Sequence, residues 1–222
     1  MTEVNLGLSC NHDNNHRPSL VGDVSMRRWF TLRIKMKIKS ILLTIMTIIA
    51  TGLNAGAQTP STTKKILIAY FSHSGNTREI ALQIQEVTGG DVFEIVPADP
   101  YPTDYNAVVD QAKKELRVDY RPPLKAKVPN MESYDVVFVG SPNWWSTIAP
   151  PVMTFLSSYN LTGKTIVPFI THEGSRMGKS VQDVKRLSPG AKVLDGQSFR
   201  GHDVKDARDD VRKWVGDMNL LK

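Results

Sequence analysis

The pattern of apolar and polar positions changes character near residue 64. From Lys65 onward, short apolar runs rich in Ile, Val and Phe alternate about five times with segments whose apolar residues recur at helical spacing. Residues 65–71 (KILIAYF) predict a first strand. Residues 76–87 predict a helix with Ile80, Ala81, Ile84 and Val87 on one face, and Glu79, three residues after Asn76, suggests a capping box at its start. Residues 91–96 alternate, as an edge strand does. A connection rich in Pro and Tyr over 97–104 leads to a helix ending near Arg117, and Arg121-Pro122-Pro123 breaks the chain. Residues 135–140 (DVVFVG) and 165–170 (TIVPFI) are apolar enough to be buried on both faces, the mark of strands in a parallel sheet. Residues 150–158 and 175–186 read as helical connections, 191–199 as a last strand and 203–221 as a last amphipathic helix.

Strands alternating with helices in this way predict an α/β fold, a parallel sheet covered by helices on both faces. Ligands in such folds sit beyond the carboxyl ends of the strands, at a topological switch point. Three loops are therefore singled out in advance: residues 72–77, 141–147 and 171–178.

Before residue 64 the pattern is different. Residues 40–53 (SILLTIMTIIATGL) are apolar and uncharged, preceded by Arg33, Lys35, Lys37 and Lys39 and followed by Ala55-Gly56-Ala57. Basic segment, short apolar segment and small-residue cleavage site are the order of a secretory signal. A membrane anchor is the alternative, but the run is shorter than the roughly 20 residues a spanning helix needs. The expected organisation is an unstructured extension or mis-called start over 1–35, a signal peptide over 36–57, a linker over 58–64 and one domain over 65–222. Export, periplasmic or secreted after cleavage near Ala57, follows as an expectation, with membrane contact only through the uncleaved leader. Arg27-Arg28-Trp29-Phe30 also leaves open a twin-arginine address, which carries folded proteins.

Charge looks different once the leader is set aside. Seven of the 28 basic and three of the 22 acidic residues precede Gln58, so the net charge falls from +6 to +2. The basic balance belongs to the leader and gives no reason to expect nucleic acid. Cys10, the single cysteine, also precedes Gln58, which leaves the expected mature chain with no disulfide, thiolate nucleophile or cysteine metal site. No metal site is expected.

In the first loop, Ser72-His73-Ser74-Gly75-Asn76-Thr77 runs from a strand into a helix. A helix N-terminus offers unpaired N–H donors and partial positive charge, so phosphate binds there without a cationic side chain. Gly75 lets the backbone curl toward the ligand, and the hydroxyls of Ser72, Ser74 and Thr77 add donors. His73 either touches the phosphate or faces solvent.

In the second loop, Ser141-Pro142-Asn143-Trp144-Trp145-Ser146-Thr147, two tryptophans follow a buried strand. Adjacent side chains diverge, so one indole is expected beneath the sheet's end and the other in the cleft, ready to stack on a planar aromatic ligand. A pair of surface-packed indoles is the alternative.

The form S-x-S-G-N-T after the first strand, together with G-S-P-x-W-W after the third, resembles the flavodoxin family, in particular its compact bacterial branch. The likeness runs from about Lys65 to the C-terminus and includes residues 101–105 (YPTDY) and Pro150-Pro151. It implies a three-layer sandwich around a five-stranded parallel sheet in order 2-1-3-4-5, with FMN as cofactor. It further implies that Ser72, Ser74, Gly75, Asn76 and Thr77 hold the ribityl phosphate, with His73 and Ser141 alongside, and that Pro142, Asn143, Trp144 and Trp145 line the ring system.

The third loop contributes Thr171, His172, Glu173 and Gly174 at the ring's other edge. Catalytic residues are unknown; His172 and Glu173 are weak candidates for tuning flavin protonation, or else a solvated strand end. Residues 174–180 (GSRMGKS) also resemble the phosphate loop of nucleotide hydrolases, but with three residues between the glycines where that motif needs four.

The expected function is transfer of electrons through FMN to a quinone, another small acceptor or a protein partner, with membrane quinol or a redox protein as donor. A pure carrier is the alternative. Carriers of this family are usually acidic around the flavin, which the near-neutral chain is not.

Overall fold

The computed structural model of the protein describes residues 64–222. The expected leader, the Arg27-Arg28 pair, Cys10 and nearly all of the linker lie outside them. Strand β1 (Ile66–Tyr70) is followed by α1 (Asn76–Thr88), β2 (Asp91–Glu94), α2 (Tyr105–Arg117), β3 (Val136–Trp144), β4 (Thr147–Ile148), α3 (Pro150–Ser157) and β5 (Thr165–His172). Helix α4 (Ser180–Leu187), strands β6 (Lys192–Val193) and β7 (Gln197–Arg200), a 3-10 turn and α5 (Arg208–Asp217) complete the domain.

The sheet runs β2-β1-β3-β5, with β6 and β7 paired in succession along the outer edge of β5. Every one of these pairings is parallel; β4 alone returns antiparallel on β3. Counting β6 and β7 as one broken strand and β4 as an addition, the order is the expected 2-1-3-4-5.

The period-two alternation of the central strands divides the core in two. Leu67, Ala69, Val137, Val139, Ile166 and Ile170 pack with Val108 and Ala112 of α2, Val152, Phe155 and Leu156 of α3, and Val184 of α4. Ile68, Tyr70, Val136, Phe138, Val167 and Phe169 pack with Ile80, Ala81 and Ile84 of α1 and Val211 and Val215 of α5. The sheet is thus the middle of three layers. Gly140 is required where β3 passes β5, because a Cβ there would lie 2.2 Å from the Phe169 ring.

Two expectations are corrected here. The last strand is not continuous over 191–199, because β6 pairs through Ile166 and β7 resumes at Phe169, leaving Leu194–Gly196 opposite only Val167 and Pro168. Alternate residues of a strand bond toward the same neighbour. Ile166 O accepts from Leu194 N, so Pro168 also faces the fifth strand and has no N–H to give it. The extra residue bulges out at that gap. The helix expected over 175–186 starts only at Ser180, because Arg176 (φ 52°) and Gly178 (φ 53°) are left-handed and cannot lie in a right-handed helix.

Candidate functional site

The carboxyl ends of β1, β3 and β5 open on a cleft of about 730 Å³. Its walls come from all three loops singled out above and from α2.

The first loop ends in α1, whose N-cap is Gly75 with φ 95°, a conformation that favours glycine. The expected capping box does not form. Asn76 is the first helical residue, and Glu79 instead accepts from Gln83 Nε2 at 3.0 Å. Ser72 Oγ takes the capping place from outside, accepting from Gly75 N at 3.1 Å and Arg78 N at 3.3 Å. Ser74 and Asn76 line this end of the cleft, next to first-turn N–H groups that have no partner within the helix. His73 turns aside and donates Nε2–H to Pro102 O at 2.8 Å. Thr77 is buried and its hydroxyl bonds Thr171 Oγ1 at 2.8 Å, tying the first loop to the third. The Arg78 guanidinium bonds Tyr70 and Glu94, away from this end.

The second loop is mostly strand. Strand β3 continues to Trp144, turns on Trp145 (φ 54°) and Ser146 (φ 66°), and returns as β4 with Trp144 opposite Thr147. Two left-handed residues between paired strands make a type I′ hairpin turn, here without the Asn or Gly that usually announces one. The third loop holds the turn in place. Lys179 N donates to Ser146 O at 2.6 Å, Asn143 Nδ2 to Arg176 O at 2.6 Å and Thr147 Oγ1 to Asp183 at 2.5 Å. Gly178 passes so close that a Cβ would lie 2.4 Å from Ser146 O. That contact, not a phosphate, accounts for the second glycine of the nucleotide-loop look-alike.

The two indoles have different surroundings. Trp144 is half-buried and packs edge-on against Tyr101 (4.9 Å between centroids), Phe71 (5.4 Å) and His73 (6.0 Å). Trp145 is 50% exposed; its Nε1–H donates to Val109 O of α2 at 3.1 Å, and Lys113 Nζ lies 4.7 Å from its ring centroid. The expected division into a packed and an open indole is what the structure contains, though both line the cleft.

In the third loop, His172 Nδ1 accepts from Gly174 N at 2.9 Å, so a neutral ring carries its proton on Nε2. Burial lowers the proton affinity of His172 below the ordinary value, Arg200 and Arg176 push the same way, and Glu173 opposes them. Glu173 leans to the α1 end, since its Oε1 and Asn76 Nδ2 both crowd the place where a Cβ on Gly201 would stand.

Of the residues expected from sequence, His73, Ser74, Asn76, Pro142, Asn143, Trp144, Trp145, Thr171, His172, Glu173 and Gly174 line the cleft. Ser72, Gly75, Thr77 and Ser141 support it from behind. Ser141 Oγ, fully buried, accepts from Ala149 N at 2.8 Å and so fixes the start of α3. Sequence reasoning missed Ser146, Ser175 and the α2 wall of Tyr105, Val108, Val109 and Ala112. Tyr105 lies at the end of the YPTDY segment, and the apolar spacing of Val108 and Ala112 was visible, but it signalled core as readily as cleft.

Comparison with known proteins agrees with this architecture. A sequence profile of the family described as Flavodoxin matches residues 65–218. The chain belongs to the flavodoxin family. A protein of Bacteroides eggerthii described as a flavoprotein is 34% identical, with a TM-score of 0.63 over 72% of this chain and 99% of that one. A second, from Bacteroides uniformis, is 29% identical, with a TM-score of 0.62 over 69% of this chain and 98% of that one. A flavoprotein of Lactobacillus acidophilus, solved in complex with FMN, is 25% identical, with a TM-score of 0.52 over 66% of this chain and 99% of that one. No curated protein matches.

Proposed function

We propose that the cleft binds FMN and that the loaded protein passes electrons to a quinone or another small acceptor. The observation that carries the reading is the pairing, in one cleft, of a helix start whose N-cap is a glycine, with Ser74 and Asn76 on the cleft, and an exposed indole, Trp145, in the same lining. One further feature fits the cofactor. Asn143 Oδ1 is a buried acceptor with no partner among the described residues, while the amide's nitrogen is committed to Arg176. An unfilled acceptor beside an aromatic slot suits the N–H edge of a flavin ring. The Lactobacillus relative that holds FMN supports the same assignment.

In this reading the N–H groups at the start of α1, with Ser74 and Asn76, hold the phosphate. Ser72 and Thr77 keep the loop in shape. Trp145 offers a ring face to the isoalloxazine, Trp144 closes the floor, and Pro142, Asn143 and the 171–174 backbone border its edge. His172 Nε2–H is a neutral hydrogen-bond donor at that edge, which makes it a positioning group. FMN, when bound, supplies a two-electron centre: its reduced form gives up two electrons and two protons, which convert a quinone to a hydroquinone.

Export after cleavage near Ala57, with membrane quinol or a redox protein as donor, belongs to the same proposal. It rests on the basic segment, apolar run and small-residue site of residues 36–57.

The test is to purify the protein, record the visible spectrum, and titrate FMN and riboflavin. FMN is expected to bind far more tightly, because the loop's contacts go to phosphate. Equal affinity for the two would remove the assignment of residues 72–77. Reduction of the loaded protein by a nicotinamide against a quinol then separates the two classes of donor.

A further inference from the structure

Two lysines lie over an aromatic ring among the described residues. Lys65 covers Tyr134 at the amino ends of β1 and β3, away from the cleft. Lys113 covers Trp145, the indole assigned above to the flavin, with its Nζ 4.7 Å from the ring centroid. The same helix holds the edge of that indole, because Trp145 Nε1–H donates to Val109 O at 3.1 Å. Val109 and Lys113 stand one turn apart on α2, so the two contacts reach the indole from one side of the helix. The ring carried by a left-handed turn residue is thus fixed from outside the turn, at its edge and on one face.

Trp145 lines the cleft together with Val109, whereas Lys113 does not. The ammonium therefore stands behind the indole, and the face turned to the cleft is the other one. A ring stacked on that face is separated from the charge by the indole alone, inside the distance over which charges act at low salt.

We propose that Lys113 is a positioning residue for the redox step: it fixes Trp145 with one face free and, through that indole, favours FMN in its reduced form. This role rests on the FMN reading. Above neutral pH, reduction adds two electrons and one proton to the flavin ring, which then carries a negative charge that the oxidised ring lacks. A cation behind the stacking partner stabilises the reduced ring more than the oxidised one. Glu173, which lines the cleft, acts in the opposite sense. The share that belongs to Lys113 is read by removing its charge, and it falls as salt rises.

The test is the midpoint potential of bound against free FMN at low salt, from a dithionite titration with a reference dye, which reads the ratio of affinities for the reduced and oxidised forms. Lys113→Gln is expected to lower the preference for the reduced form about threefold, the size of a charge contact at a protein surface. Lys113→Arg keeps the preference, Lys113→Glu lowers it further, and Lys114→Gln, an exposed neighbour on the same helix, changes it least. A merely structural role would weaken both forms alike and leave the ratio where it was. That outcome, or an equal effect of Lys114→Gln, overturns the proposal. Without flavin, Lys113→Ala is expected to raise acrylamide quenching of the emission that Trp145→Phe removes, because a covered face is opened. Unchanged quenching also overturns it. A protein that opens in this way yet binds no FMN removes the flavin reading and the redox preference with it, and leaves Lys113 as a clamp on Trp145 alone.

Discussion

Trp144 and Trp145 are neighbours in the chain with opposite duties. Trp144 is wedged among Phe71, Tyr101 and His73, so Trp144→Ala removes packing and is expected to lower stability by about 3 to 5 kcal/mol, read by urea denaturation. Trp145 contributes less to the core and more to the ligand: Trp145→Ala is expected to weaken FMN and restore flavin fluorescence with a small change in stability. If neither variant alters fluorescence or affinity, the indoles do not touch the flavin. His172 gives a pH signature. Its proton affinity is lowered in the folded state by burial first and by Arg200 and Arg176 after it. The unfolded chain therefore binds the proton first as pH falls. The stability it contributes is complete above the unfolded value, about 6.5, and is lost as pH falls from there through the lower folded value. The difference in urea midpoint between pH 7.5 and 5.5 should be smaller in His172→Gln than in the unaltered protein; an identical difference would show that the ring is not the group involved.

At the scale of elements, the strands and helices were legible wherever one period ran unbroken. β3 and β5 read as doubly buried runs because each has apolar residues on both faces, β1 read as a strand from its apolar run, and α1 read as a helix because Ile80, Ala81 and Ile84 repeat at its spacing. The hairpin of β3 and β4 was not legible. Its turn uses Trp145 and Ser146 where Asn or Gly would have signalled it, and the contacts that hold it come from residues 176–183, far along the chain. The same long-range contacts moved the start of α4 to Ser180, although 175–179 carry no helix breaker stronger than Gly178. The site was legible in proportion to its polar residues, and the α2 wall escaped because apolar cleft and apolar core look alike in sequence. Gly178 tests how much the hairpin depends on the third loop. A Cβ there meets backbone, which cannot give way, and the φ is left-handed. Gly178→Ala is expected to cost about 2 kcal/mol and to weaken FMN by displacing Trp145. Lost stability with unchanged FMN affinity would separate the turn from the binding site.

For the whole molecule, the sequence sets a basic stretch before Gln58 apart from a nearly neutral chain after it. A chain that starts at Met36 is expected to be exported and cut after Ala57 as efficiently as the full chain, because the basic residues from Lys37 and the apolar run suffice without Arg27 and Arg28. Export blocked in that chain and rescued by restoring the arginine pair would assign residues 26–35 to the signal. A different property of the whole follows from Pro168. The fifth strand forms one rim of the sheet, and the rim of any sheet carries unpaired backbone groups on which another copy of the chain can add a strand. By denying this strand a bond at its centre, Pro168 leaves two segments, of two and four residues, with a bulge between them. Such a rim is a poor template. Replacing Pro168 by Val and deleting Gly196 matches the residue counts on the two strands and offers a continuous border. Light scattering should then show association that grows with concentration and is absent from the unaltered protein. A variant that stays monodisperse would mean that the break relieves only a local mismatch, and that solubility has another source.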